Sequence, residues 1–155
     1  MRRSVNEWFG NYARDHRNPT NRLIHWICVP VILWAMLAML WVIPVPPSIG
    51  RPGLWAGVAM VLAATFYSRL SRPLGLAMVV VFVVLGLIIE GLYRTVGPHA
   101  LLWLASSLFV MAWIGQFIGH AIERARPSFF TDLVYLLIGP AWLTGKLMRR
   151  LHIRY

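Results

Sequence analysis

Apolar residues in this chain come in long unbroken blocks, without the two-residue alternation of a half-buried strand. Four blocks stand out, at roughly 23–43, 53–70, 74–93 and 100–122. A helix rises ~1.5 Å per residue, so blocks of about 18–23 residues are long enough to cross a ~30 Å hydrocarbon layer. Breakers separate them. IPVPPSIGRPG (43–53) cannot be helical throughout, SRLSRP (68–73) predicts a short turn, and YRTVGPHA (93–100) divides the third block from the fourth. A fifth apolar stretch, LVYLLIGPAWLTGKL (133–147), is short and is expected to break at Gly139-Pro140. It reads as an interfacial or re-entrant helix, with a fifth span as the lesser reading. Ahead of the first block, Val5, Trp8, Phe9 and Tyr12 recur at helical spacing. They predict an amphipathic helix within a cytoplasmic segment, 1–22, that lies against the bilayer surface. The expected fold class is therefore all-α: a polytopic membrane helical bundle in a single domain, 1–155, with about four transmembrane helices, an N-terminal amphipathic helix and a C-terminal interfacial or re-entrant helix.

Composition supports this picture. Of 155 residues, 59% are hydrophobic and 13% charged, too little polar surface for a soluble domain of this size. The first twenty residues lack the apolar core of a cleavable signal peptide. A single cysteine, Cys28, excludes an intramolecular disulfide and reads as a small buried hydrophobe. The net charge of +10 raises the question of nucleic acid, but its distribution answers it. Thirteen of the fifteen Lys and Arg fall before block one, between blocks two and three, or after block four; Arg51 and Arg94 alone occupy the other two connections. This asymmetry places both termini in the cytoplasm and accounts for the charge as an orientation signal with anionic-lipid contact, without nucleic acid.

That topology sorts the five histidines. His25 lies just inside the cytoplasmic end of the first span, His16 precedes it, and His120 closes the fourth span on the same face. His99 opens that span on the opposite side, roughly 31 Å away along a straight helix, and His152 sits in a basic tail. Three imidazoles thus converge at one depth. Neutral imidazole is the commonest metal ligand, and three of them leave open positions for substrate or oxygen. Histidines at a membrane interface also serve as hydrogen-bonding or snorkelling groups, and the spacing alone leaves that alternative standing.

The neighbours suit a built site. Asn18 is placed to cap a helix whose first turn begins with Pro19. Asn21 lies one turn before His25, positioned to orient its ring. Gln116, His120 and Glu123 share one helical stripe, and polar residues this close to lipid generally face the bundle interior. Gly115 and Gly119 permit close helix approach. Glu123 has a surface salt bridge to Arg124 or Arg126 as its alternative, Asp132 is expected to cap the helix that follows, and Glu90 is expected to pair with Arg94.

Two stretches resemble a known family. YARDHRNPTNRLIHWICVP (12–30) carries Y-x3-H-x-N-P-x-N-x3-H-x4-P, and WIGQFIGHAIERARPSFFTDLVYLLIGP (113–140) carries W-I-x-Q-F-x-G-H-x3-E-x-x-x-P. Together they resemble the membrane-embedded iron(II)-dependent 2-hydroxy fatty acid dioxygenases of fatty-acid α-oxidation. The resemblance implies oxygen-dependent cleavage of 2-hydroxy fatty acids to products one carbon shorter, with Fe(II) held by histidines. His16, His25 and His120 match motif histidines, while Asn18, Asn21, Gln116 and Glu123 match other motif positions as catalytic or supporting groups. The family's further histidines have no counterpart here, and Glu123 is a candidate to complete the ligand set or to support it. Arg17, Arg22 or Arg126 is expected to steady the substrate carboxylate. The partners implied are a 2-hydroxy fatty acid, O2 and membrane lipid, and the expected location is a bacterial inner membrane with the metal site on the cytoplasmic side. Spacing does not separate iron from zinc, so a zinc-dependent membrane lipid hydrolase or lipid-modifying enzyme is the competing reading. A non-enzymatic scaffold or lipid-binding protein is the third. The H-x3-H and H-x2-H-H boxes of di-iron membrane desaturases are absent.

Overall fold

The computed structural model describes residues 4–14, 16–124 and 134–155. Among these residues there are five helices and no strand: α1 (Val5–Arg14), α2 (Pro19–Trp41), α3 (Leu54–Leu70), α4 (Arg72–Glu123) and α5 (Tyr135–Arg150). Two of the predicted starts are explained by local chemistry. Asn18 caps α2, its side chain accepting from the backbone N–H of Thr20 at 2.9 Å and of Asn21 at 3.4 Å, with Pro19 in the first turn. Ser71, in extended conformation, ends α3 and caps α4 through the N–H of Leu74.

Two helices, α2 and α4, are long and apolar enough to cross a membrane, against the four spans expected. The shortfall has two physical sources. The second block forms α3, which at 17 residues is slightly short. The third and fourth blocks form two helical limbs that abut within YRTVGPHA with no loop between them, so α4 as a whole covers 52 residues across a kink. The kink sits at Gly97, whose φ of 79° and ψ of 169° only glycine adopts readily, followed by Pro98, which lacks an N–H to bond backwards.

Packing shows what that kink does. Gly53 lies against the Trp41 ring, so α2 and α3 form a hairpin. Gly75 fits against Ser68, and Gly86 against Met60, so the first limb of α4 runs antiparallel to α3. Beyond the kink, Ser106 meets Met39, Gly115 meets Cys28 and Gly119 meets Asn21, so the second limb runs antiparallel to α2. The chain therefore reverses at Gly97, and four helical runs stand side by side. Their outer surfaces are apolar: Leu87 is 69% and Trp103 76% exposed.

The amphipathic α1 turns its apolar face onto α5. Trp8 meets Tyr135 edge-on, Tyr12 meets Trp142 and Phe9 meets Tyr155, with ring centroids 5.3, 5.1 and 5.7 Å apart. Its apolar face thus has a protein partner rather than the bilayer surface alone. Contrary to expectation, α5 passes through Gly139-Pro140 unbroken. The Tyr67 hydroxyl donates to the Leu137 carbonyl at 2.8 Å, satisfying an acceptor in the turn that Pro140 disturbs. At 16 residues α5 does not reach span length. Asp132 lies outside the described residues.

Candidate metal centre

His16 sits in the short link between α1 and α2, His25 in the second turn of α2, and His120 in the last turn of α4. All three are buried, and one ring nitrogen of each lies within 4.8 Å of the other two. The ligand-capable cluster thus comes from segments almost a hundred residues apart in the chain.

Backbone carbonyls fix the tautomers of two rings. His16 Nδ1 lies 2.6 Å from the Tyr12 carbonyl and His25 Nδ1 lies 2.9 Å from the Asn21 carbonyl. A carbonyl only accepts, so both Nδ1 atoms donate and both Nε2 atoms carry lone pairs. Those two Nε2 atoms face each other at 2.9 Å. Two lone pairs at that distance repel unless a cation lies between or beside them. Two imidazole nitrogens bound to one ion at about 2.1 Å and near a right angle stand roughly 3 Å apart, so the pair fits a shared metal. Three such donors around one ion span at most about 4.2 Å. The trio is slightly wider than a closed coordination sphere.

Glu123 ties these segments together. Its Oε1 accepts from the backbone N–H of Arg17 at 2.9 Å, its Oε2 from the N–H of Asn18 at 2.9 Å, and Oε2 also from Asn21 Nδ2 at 3.0 Å. The carboxylate therefore clasps the N-terminus of α2, where helix polarity favours a negative charge. Neither oxygen joins the histidine cluster, which favours a supporting role over ligation. Asn21 orients His25 through its main-chain carbonyl, while its side chain reaches Glu123. Gly119 is needed for this approach, since a Cβ there would collide with Asn21 Oδ1. Tyr12 stacks on His16 at 4.1 Å between centroids and fixes its face. His99 and His152 are exposed and do not belong to the cluster.

A cavity of about 330 Å³ opens from the cluster. His16, His25, His120 and Gln116 line one end; Leu37, Met60 and Phe109 line the other. From His25 to Leu37 the wall of α2 is ~18 Å long at ~1.5 Å per residue. Apart from the histidines, Gln116 and the tyrosine hydroxyls, the lining is apolar. Gln116 is 6% exposed, and its Nε2 has no hydrogen-bond partner in the structure. A buried donor without a partner is costly, and this one lines the hollow at its polar end.

On the other side of His16 lies a second, more open hollow of about 530 Å³, lined by Arg17, Arg22, Lys146 and Arg149 among others. Arg17 and Arg22 thus stand together beside His16; Arg126 lies outside the described residues. Lys146 and Arg149 were not anticipated as site residues. Their i, i+3 spacing on one face of a C-terminal helix was the available signal. Lys146 Nζ stands 3.5 Å over the Trp142 ring. Its burial, then the positive charges of Arg22, Arg149 and Arg150, hold the ammonium pKa below the ordinary lysine value.

Residues 2–151 match the family model described as 2-hydroxy-palmitic acid dioxygenase Mpo1-like. The chain is 35% identical over 131 residues to the 2-hydroxy-palmitic acid dioxygenase MPO1 of Saccharomyces cerevisiae, an overlap of 83% of this chain and 70% of that relative. No solved structure matches it.

Proposed function

We propose that this chain, which belongs to the 2-hydroxy-palmitic acid dioxygenase Mpo1-like family, is a membrane-embedded dioxygenase that cleaves 2-hydroxy fatty acids to products one carbon shorter. One observation carries the reading: three buried histidines stand at the polar end of a cavity that is otherwise apolar and about 330 Å³ in volume. An amphiphile with its reacting carbon next to its carboxyl group needs that arrangement, with the chemistry at the head and a greasy slot for the tail.

His16, His25 and His120 would hold the metal. Iron bound there would supply the activation of O2, since three histidines leave part of a coordination sphere unfilled. The remaining work belongs to the chain itself. The Tyr12 and Asn21 carbonyls keep both Nδ1 atoms protonated and so keep the Nε2 lone pairs aimed inward. Glu123 holds the link bearing His16 against the helix bearing His120. Gln116 offers its unmet N–H to the substrate's hydroxyl or carboxylate oxygen. The apolar walls take the acyl chain and exclude water from the reacting carbon.

The lipid phase fits the same account. In the most apolar windows of α2 and α4 only 22% and 33% of residues are buried. The core helix of a soluble protein would be mostly buried, so these surfaces call for lipid. In this reading the two limbs of α4, together with α2 and α3, cross the bilayer, and the histidine cluster lies at the cytoplasmic interface.

Oxygen uptake by the purified, iron-loaded protein tests the proposal. With 2-hydroxyhexadecanoic acid, uptake should accompany formation of the fifteen-carbon product, and hexadecanoic acid lacking the hydroxyl should support none. Uptake absent with iron, or hydrolysis of a lipid ester with zinc, would overturn it.

A further inference from the structure

Four cationic side chains gather in one place, and among the described residues none of them forms a salt bridge. Arg17 and Arg22 come from the link and first turn of α2, Lys146 and Arg149 from one face of α5, and together they line the open hollow beside His16. Among the described residues no acidic side chain lines it. The Arg22, Arg149 and Arg150 charges press on Lys146. Like charges brought together at a cost in self-repulsion mark a place where an anion is received. Among the described residues lining either hollow, His16 alone lines both. An apolar slot and a cationic hollow therefore meet at one imidazole.

From this juxtaposition we propose that the basic hollow of Arg17, Arg22, Lys146 and Arg149 receives the substrate's carboxylate, and that Lys146 and Arg149 select a free fatty acid over a neutral ester. The proposal rests on the dioxygenase reading for the identity of its ligand. A 2-hydroxy acid carries its charge one bond from the carbon that bears the hydroxyl. With the tail in the apolar slot and that carbon at the histidines, the carboxylate lies at the His16 boundary, facing the cations. Trp142 beneath Lys146 holds the ammonium in place over its ring, so the charge is presented rather than left to roam. Anionic lipid headgroups share this chemistry, but a headgroup would not need the hollow to share a wall with the acyl slot.

Equilibrium binding decides it, with the detergent-solubilised full chain and displacement of a fluorescent fatty acid as the signal. The ligands are 2-hydroxyhexadecanoic acid and its methyl ester; the variants are Lys146→Met, Arg149→Met and Lys146→Arg. One lost charge-assisted contact should weaken the acid by about tenfold or more. The ester should bind all three variants as it binds the wild type, and Lys146→Arg should recover most of the acid affinity. Equal weakening of acid and ester would show that Lys146 and Arg149 merely support the fold, and would overturn the proposal. So would an unchanged acid-to-ester ratio accompanied by weaker partition onto phosphatidylglycerol vesicles, which would assign the hollow to lipid phosphate. Binding requires no turnover, so the two readings fail separately. Acid selectivity without oxygen uptake would remove the dioxygenase and leave the anion site; oxygen uptake without selectivity would do the reverse.

Discussion

Gln116 is the residue at which stability and function pull apart. Its buried Nε2 has no partner among the described residues, so the side chain is a cost to the fold unless a ligand meets it. Gln116→Met keeps the volume and removes the donor. It should leave the melting temperature unchanged or raise it, while raising KM for 2-hydroxyhexadecanoic acid by about five- to tenfold, the worth of one hydrogen bond. A lowered melting temperature with KM unchanged would mean that Gln116 serves packing alone. At this scale much was legible in the sequence. Helical spacing alone put Gln116, His120 and Glu123 on one stripe, and N-P-x-N announced the Asn18 cap. What could not be read was which atom does the work. Asn21 orients His25 by its carbonyl, which every residue possesses, and Glu123 spends its oxygens on two backbone N–H groups, 105 and 106 residues away, and on the Asn21 side-chain amide, 102 residues away. No side-chain pattern encodes a main-chain acceptor or a partner at that distance.

Among the elements, α3 and α5 hold what the sequence left open. α3 is apolar on nearly every side, and the basic residues of α5 gather in its C-terminal turns, so over α3 and the first half of α5 no stripe tells which face looks inward. The structure sets Ala59, Met60 and Ala63 of α3 and Gly139 and Pro140 of α5 along the cavity wall. Pro140, which promised a break, lies within a continuous helix that forms part of that wall. Kinks escape sequence reading for a similar reason. Gly97-Pro98 marks a change of direction plainly, yet whether hydrogen bonding resumes at once depends on what packs on either side. In the proposed function small residues along the slot make room for the tail, and Ala63→Phe should fill part of it. Each methylene kept out forfeits ~0.8 kcal/mol of burial. Exclusion of two should therefore lower kcat/KM for a sixteen-carbon 2-hydroxy acid by about tenfold while leaving a ten-carbon acid little affected. An identical chain-length profile in the variant would place the tail elsewhere.

Across the whole molecule, the fold brings three far-separated pieces to one end of a bundle. The reversal at Gly97 returns α4 alongside α2, so that residue 120 ends beside residue 25. The link from α1 then folds His16 over both, and Glu123 locks it there. In the proposed function the apolar exterior and the cationic hollow belong to the same logic, since a fatty acid would reach such a site from lipid, tail in the slot and charge toward water. The Glu90–Arg94 pair, at 2.5 Å, sits far from this chemistry and satisfies itself one turn apart. Everything in this account depends on the three imidazoles acting together on one ion. The most direct test is the metal content per chain, by mass spectrometry of purified wild type and of His16→Ala, His25→Ala and His120→Ala, each checked for helicity by circular dichroism. The account predicts about one iron per wild-type chain and its loss in every variant that remains folded. Metal retained after removal of any one of the three rings would contradict it.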